Sequence, residues 1–157
     1  MEIERKFLIN QLPDLSGIVP LRYERYYLYV GNGIEERIQK TNERYTYEKK
    51  TTVGALARST ELKELSVEEF RRLKGGASRA ILRDSYAVSP NMSIKIYHGE
   101  YEGLIRVEVE FSSVEDAADY TPEVWMGAEI TNTSLGRDSS LLKLKPTSVR
   151  ELIEQYS

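Results

Sequence analysis

Short runs in which apolar and polar residues alternate make up much of this 157-residue chain. Successive side chains of a β-strand point to opposite faces, so each run predicts a strand with one polar and one largely apolar face. Turn-forming glycine, proline and asparagine residues between the runs favour hairpins, and hence antiparallel pairing. The predicted strands cover residues 2–9, 21–30, 34–40, 45–51, 58–65, 80–88, 92–97 and 104–111.

Helices are predicted at three places. The segment SVEEFRRLKGG has Ser66 as an N-cap, Glu69 as its capping-box partner and Gly75 as a stop. The segment SVEDAADY begins in the same way at Ser113, and TSVRELIEQY closes the chain as a short terminal helix. The predicted fold class is therefore mainly β (α+β), with a few helices available to cover a sheet.

The polar faces of the predicted strands carry both signs of charge. In LIRVEVEF, for example, Arg106, Glu108 and Glu110 share the face opposite Val107 and Val109. Two architectures fit this pattern: a sandwich whose charged faces point to solvent, or a closed barrel whose charged faces line a lumen under covering helices. A lumen of mixed charges is costly to desolvate unless a ligand fills it, and a polyanion with a divalent cation suits such side chains.

Composition and net charge exclude several classes of ligand and metal site. The net charge of −3 provides no field that would draw nucleic acid or an anionic membrane. The absence of cysteine and the single histidine exclude disulfides and cysteine- or histidine-based zinc sites, which leaves a hard cation with oxygen ligands. No segment is long and apolar enough to span a bilayer, and the charged start does not match a secretory signal. We therefore expect one cytoplasmic domain over residues 1–157, without nucleic-acid or membrane partners.

The opening segment EIERKFL resembles the Glu-x-Glu-x-Lys signature of the triphosphate tunnel metalloenzymes, the CYTH superfamily. Further segments resemble motifs of that family in the same order, namely YYL, ERIQK, RYTYEKK, VEVEF and VWMGAEIT. The resemblance covers essentially the whole chain, whose length is similar to that of the short bacterial tripolyphosphatases. It implies a closed eight-stranded antiparallel β-barrel tunnel with a few covering helices.

The resemblance also implies an activity, which is the divalent-metal-dependent hydrolysis of a triphosphate inside the lumen. Inorganic tripolyphosphate is the expected substrate, and a nucleoside triphosphate is a further possibility. The implied ligands of Mg²⁺ or Mn²⁺ are Glu2, Glu4, Glu108 and Glu110, and the implied catalytic residues are Glu4, Lys6 and Glu110. The residues expected to bind the phosphate chain are Lys6, Arg37, Lys50, Arg58, Arg83, Arg106 and Arg137. Lys49 is the alternative to Lys50, because a one-residue shift of the strand exchanges their faces.

Several positions differ from the family pattern. Gln39 stands at the second arginine of Arg-x-Arg, and Thr60 and Leu62 stand where two glutamates are expected. In the family those glutamates serve the second metal or its nucleophilic water; Glu61 and Glu64 lie close by in this sequence. Among the remaining differences, serine replaces a base at Ser85 and Ser139, and lysine replaces a carboxylate at Lys95.

These differences leave two alternatives to a triphosphatase. One is a binding module of the same fold that captures a triphosphate or nucleotide with slow turnover or none. The other is an adenylate cyclase of the class IV type. Either a monomer or a homodimer is compatible with the sequence.

Overall fold

The computed structural model describes residues 1–54, 57–77 and 79–157. Within these residues, strands β1–β9 span Glu2–Ile9, Leu21–Gly31, Ile34–Thr41, Arg44–Thr52, Ala57–Glu64, Ile81–Ser89, Met92–His98, Ile105–Glu110 and Met126–Glu129. Helices α1–α4 span Val67–Lys74, Val114–Asp119, Asp138–Leu141 and Pro146–Tyr156, and a 3₁₀ turn covers Gly99–Tyr101. The eight predicted strands and three predicted helices are confirmed. Strand β9 and helix α3 were missed, because four residues are too few to display a hydrophobic period.

Strands β1 to β8 close into an antiparallel barrel, which is the second of the two predicted architectures. The order around the barrel is β1-β8-β7-β6-β2-β3-β4-β5, and β5 returns to β1 through the pairs Glu2–Arg58 and Ile3–Ala57. Further along, the same edge of β1 pairs with β9 instead. Closure gives the sheet an inside, so the charged faces line a lumen rather than meet bulk solvent.

Helix α1 covers part of the apolar outer face of the barrel. It begins with the predicted capping box, in which the Ser66 hydroxyl accepts from the Glu69 amide and the Glu69 side chain accepts from the Ser66 amide. Phe70, the buried residue of this helix, packs against the rings of Tyr26 and Tyr45 on β2 and β4. The helix thus covers β2, β4 and, through Ile38, the strand β3 between them.

We expect Phe70→Ala to lower the free energy of unfolding by about 3–5 kcal/mol, because it removes a buried ring and leaves a cavity. The measurement is urea unfolding of the variant beside wild type. Val67→Ala is the matched control in the same helix, since Val67 is 38% exposed; its cost should stay within about 0.5 kcal/mol. Equal losses in the two variants would contradict a supporting role for the Phe70 contact.

An apolar floor closes one end of the barrel. It consists of the buried residues Leu8, Tyr27, Ile81, Tyr97, Tyr101, Leu104, Ile130, Leu135, Leu141 and Val149. Helix α4 packs against this floor through Val149, with Leu152, Ile153 and Tyr156 partly buried beside it. The C-terminal helix therefore supports the end of the barrel and does not enter the lumen. None of the helices within the described ranges has the length and apolarity to cross a membrane.

Candidate active site in the barrel lumen

The inward faces of the strands line a cavity of about 210 Å³. Counted over the described residues, its wall carries nine basic and seven acidic side chains. The basic ones are Lys6, Arg25, Arg37, Lys50, Arg58, Arg83, Lys95, Arg106 and Arg137. The acidic ones are Glu2, Glu4, Glu35, Glu48, Glu108, Glu110 and Asp138. Every residue that the sequence predicted for the site lies on this wall.

A second and larger cleft, of about 580 Å³, lies at the outer surface beside β2 and β6. One of its acidic groups is Asp84, whose carboxylate is 3.0 Å from His98 Nε2 and 3.5 Å from Arg22 Nε. The Arg22 side chain is 80% exposed, so solvent screens its charge. The lumen, where charged groups are buried and face one another, is the better candidate for chemistry.

The lumen-facing side chains of β8, the strand that carries the VEVEF motif, change from basic to acidic as they become more exposed. The Arg106 side chain is only 2% exposed, the Glu108 side chain is 11% exposed, and Glu110 is exposed. On the neighbouring strand β1, Lys6 is likewise more buried than Glu2. The mouth of the lumen is therefore acidic on this side, and its depth is basic.

Glu4 and Glu110 form a pair of like charges near the mouth, because they are directly opposite in the β1–β8 register. Partial desolvation and the nearby charges of Glu4, Glu2 and Glu108 raise the pKa of Glu110 above its ordinary value. Such a pair is stabilised by a cation between the carboxylates, and carboxylate oxygens are the ligands that Mg²⁺ and Mn²⁺ prefer. The donor chemistry at Glu4 and Glu110 thus fits a hard divalent cation.

The other two predicted metal ligands form closer ion pairs with bases than Glu4, which lies 3.2 Å from Lys6 Nζ. Glu2 is bound to Lys50, and Glu108 lies 2.8 Å from Arg106 Nη2. Over the described ranges, the side chains accordingly form no group of three or more acidic or histidine residues placed to hold a metal ion. Glu2 and Glu108 could join Glu4 and Glu110 around a cation only by exchanging these partners.

Three predicted phosphate-binding residues form ion pairs on the β3–β5 side of the lumen. Arg37 Nη2 is 2.8 Å from Glu48, and Arg58 Nη2 is 2.9 Å from Glu35. Burial opposes ionisation of Glu48, but the attraction of Arg37 and other bases outweighs it and lowers the pKa of Glu48. Lys50, bound to Glu2, completes the set. These bases are thus held in the lumen by carboxylates that an incoming anion can replace.

Strand β4 places Lys50, and not Lys49, on the lumen face. Lys50 is 4% exposed and donates to the hydroxyl of Thr60 on β5, whereas Lys49 is opposite Glu61 on the outer face. Because the β4–β5 register runs without a bulge, Glu61 stays outside the lumen, and Glu64 pairs with exposed Arg44. The described part of β5, from Ala57 to Glu64, therefore brings no carboxylate into the cavity.

Asp138 lies at the centre of the deep, basic half of the lumen. Its carboxylate is 2.8 Å from Arg25 Nη1, 3.2 Å from Arg106 Nη2 and 3.3 Å from Arg83 Nε, and it accepts a hydrogen bond from the Tyr97 hydroxyl. Burial opposes its ionisation, but the three guanidinium groups outweigh burial and hold the pKa of Asp138 well below its ordinary value. Asp138 is thus an internal anion that organises three bases.

The segment that carries Asp138 is fastened to the lumen from both sides. Lys6 Nζ donates to the carbonyl oxygen of Gly136 at 2.7 Å, and the Ser139 hydroxyl donates to Glu35 at 2.8 Å. A Cβ atom at Gly136 would lie 2.6 Å from the carbonyl oxygen of Thr131, so a larger residue would displace the segment. This fit explains why a glycine precedes Arg137 and Asp138.

Sequence reasoning missed several members of the lumen. Glu35 and Glu48 have the same strand parity as the predicted residues Arg37 and Lys50, so the alternation contained a signal for them. Arg25 lies on β2, where no site residue was predicted. Asp138 had no such signal, because it belongs to a four-residue helix that reaches the lumen only through the tertiary fold.

Known proteins that resemble this chain in sequence and in structure include inorganic triphosphatases. No family model matches the chain. An inorganic triphosphatase of Nitrosomonas europaea is 30% identical over 146 residues, which cover 89% of this chain and 95% of that protein. A crystal structure of an inorganic triphosphatase has a TM-score of 0.68 at 25% identity and covers 93% of this chain and 97% of that one. A Pyrococcus horikoshii protein has a similar fold, with a TM-score of 0.54 at 18% identity over 75% of this chain and 84% of that one.

Proposed function

This chain belongs to the inorganic triphosphatase family, and on that premise we propose that it hydrolyses inorganic tripolyphosphate in its lumen with Mg²⁺ or Mn²⁺. The observation that carries the proposal is the ordering of charge inside a closed barrel. Carboxylates near the mouth, including the Glu4–Glu110 pair, suit a divalent cation, and buried bases below them suit phosphate oxygens. A magnesium-bound triphosphate provides the cation for the carboxylates and the phosphate oxygens for the bases.

The bases contribute by holding and orienting the phosphate chain. Arg37, Lys50 and Arg58 are already buried and directed into the cavity by their carboxylate partners. An incoming triphosphate replaces those carboxylates, and arginine can bind its oxygens in a bidentate manner. Because the bases need little reorganisation, they stabilise negative charge that develops on the phosphate oxygens in the transition state.

The carboxylates near the mouth would bind the divalent cation. Glu4 and Glu110 would hold the cation, with Glu2 and Glu108 as further ligands. A divalent cation bound there supplies neutralisation of phosphate charge and a lower pKa for a nearby water. Lys6, which lies 3.2 Å from Glu4, orients that carboxylate from the deep side.

Glu110 is the best candidate to accept a proton from the attacking water. In the cation-free protein its pKa is raised by partial desolvation and by Glu4, Glu2 and Glu108, so it takes up a proton more readily than an ordinary glutamate. A cation bound to the Glu4–Glu110 pair would offset part of this shift. Since the described part of β5 places Thr60 and Leu62 rather than glutamates opposite Lys50 and Glu48, no carboxylate from that strand competes for this role.

The described part of β5 places no carboxylate in the lumen. This favours a second candidate function, a module that binds a triphosphate and turns it over slowly or not at all. Such a module would use the same bases and the same cation. It differs from the enzyme only in the proton-transfer step, so binding and turnover must be measured separately.

The test is to mix the purified protein with tripolyphosphate and either Mg²⁺ or Mn²⁺, and to follow both phosphate release and the melting temperature. We expect release that stops when EDTA removes the cation. A ligand that binds the folded state also raises the melting temperature. Stabilisation without release would identify the binding module, and the absence of both effects would refute the proposal. Parallel reactions with ATP show whether a nucleoside triphosphate or a cyclic product is involved.

A further inference from the structure

Seven of the nine bases on the lumen wall have a carboxylate within 4 Å, and two have none among residues 1–54, 57–77 and 79–157. The two are Arg137 and Lys95. Arg137 is partly exposed, whereas Lys95 is only 8% exposed. A buried ammonium group without a counter-ion is unfavourable, which suggests that an anion from outside completes its environment.

The immediate partners of Lys95 leave most of its donors free. Its Nζ donates to the hydroxyl of Ser85 on β6 at 2.7 Å and lies 5.8 Å from the ring centroid of Tyr23. In the β7–β8 register, Lys95 is opposite Arg106, so its neighbour on that side is another cation. Burial and the charges of Arg83, Arg25 and Arg106 lower the pKa of Lys95 to about 8, although Glu108 attracts the ammonium group. The side chain is therefore still largely protonated at neutral pH.

A second set of free donors lies beside Lys95. The guanidinium group of Arg83 is centred 5.0 Å from the same Tyr23 ring, and its charge acts on Lys95. Although Arg83 is within ion-pair distance of Asp138 and Glu108, its buried Nε and Nη1 atoms donate no hydrogen bond to any residue in the described part of the chain. A buried donor without a partner costs free energy that a phosphate oxygen would recover.

We propose that Lys95, Arg83 and Ser85 form a binding site for the phosphate that lies deepest in the lumen, and that Lys95 determines the affinity for the polyphosphate chain. This inference rests on the proposed triphosphatase function and adds to it Lys95, which stands where the family pattern has a carboxylate. Lys95 supplies charge and two free N–H groups, Arg83 supplies two more, and the Ser85 hydroxyl positions the ammonium group. Asp138 borders the site on the far side through Arg83 and limits how deep an anion can enter.

The experiment compares steady-state hydrolysis of tripolyphosphate by wild type, Lys95→Met, Lys95→Arg and Ser85→Ala. Loss of a charged hydrogen bond to phosphate corresponds to a rise in KM of about 10- to 100-fold for Lys95→Met, with kcat changed by less than about 3-fold. Lys95→Arg keeps the charge and should keep KM within about 3-fold, and Ser85→Ala should raise KM by roughly 3- to 10-fold. Lys49→Met, on the outer face of β4, is the matched control and should leave KM unchanged.

Melting temperatures separate a binding role from a structural one. Because no carboxylate of the described residues lies within 4 Å of buried Lys95, Lys95→Met without ligand should melt at or above the wild-type temperature, while its stabilisation by tripolyphosphate should be smaller. An unchanged KM in Lys95→Met and Ser85→Ala, in the presence of normal wild-type hydrolysis, would overturn this inference and leave the proposed function intact. If Lys95→Met fails to fold, an unchanged KM in Ser85→Ala alone overturns it. If the wild-type protein neither hydrolyses nor binds tripolyphosphate, both this inference and the proposed function are refuted.

Discussion

Replacing Asp138 by asparagine is expected to lower the free energy of unfolding by about 3–5 kcal/mol, which is the usual cost of removing one partner from a buried ion pair. Asparagine has nearly the same size, so the change removes charge and leaves packing unaltered. Without the carboxylate, the guanidinium groups of Arg25, Arg83 and Arg106 repel one another in the deep half of the lumen. The melting temperature should fall by roughly 2–4 °C for each kcal/mol lost, and thermal and urea unfolding measure both quantities.

The matched control for this prediction is Asp84→Asn. Asp84 is also buried, but its arginine partner is Arg22, which is largely exposed, and its other partner is His98. An ion pair of that kind contributes about 1 kcal/mol or less. Equal stability of the two variants would show that Asp138 does not organise the three arginines. Tripolyphosphate should stabilise Asp138→Asn more than wild type, because it supplies the missing anion.

The pH dependence of the Asp138 effect follows from the direction of its pKa shift. The three arginines hold the pKa of Asp138 well below its ordinary value of 3.8, in spite of burial. Its contribution to stability is therefore fully present above the ordinary pKa and is lost only as pH falls through the lower, folded-state pKa. The stability difference between wild type and Asp138→Asn should accordingly stay constant from neutral pH down to about pH 4 and shrink below it.

Replacing Glu110 by glutamine is expected to reduce kcat for tripolyphosphate by about 10²–10⁴-fold, the range observed when a general base is removed. The variant also lacks one carboxylate of the pair that would hold the cation, so the concentration of Mg²⁺ needed for half-maximal activity should rise. Phosphate release measured over a range of Mg²⁺ concentrations tests both effects. Wild-type activity in this variant would exclude Glu110 from the chemistry.

Stability measurements distinguish this loss of activity from a folding defect. Partial desolvation and the charges of Glu4, Glu2 and Glu108 raise the pKa of Glu110, so its ionised form is disfavoured in the folded, metal-free protein. That penalty is fully present above the raised pKa and disappears as pH falls below the ordinary one. At neutral pH, glutamine therefore removes a penalty, and metal-free Glu110→Gln should melt at or above the wild-type temperature. Glu61→Gln, on the outer face of β5, is the control and should change neither activity nor its Mg²⁺ dependence.

Strand β5 illustrates a question that the sequence posed and could not answer. Glu61 and Glu64 lie next to the positions where lumen glutamates were expected, and a single bulge would have turned them inward. The structure shows an unbroken register that places Thr60 opposite Lys50 and keeps Glu61 outside. A bulge depends on the pairing of two strands, so the sequence of one strand does not reveal it.

By itself, the sequence determined the strands, the two faces of each strand and which of the two faces is charged, because strand periodicity is a local property of the backbone. All eleven predicted site residues consequently lie on one wall. Only the tertiary structure decided that this wall is the inside of a barrel, through two residue pairs between β1 and β5. It also decided that Asp138 enters the lumen and that no carboxylate in the described part of the chain forms an ion pair with Lys95. Closure and ion pairing depend on contacts between residues far apart in the chain, and those contacts exist only once the chain has folded.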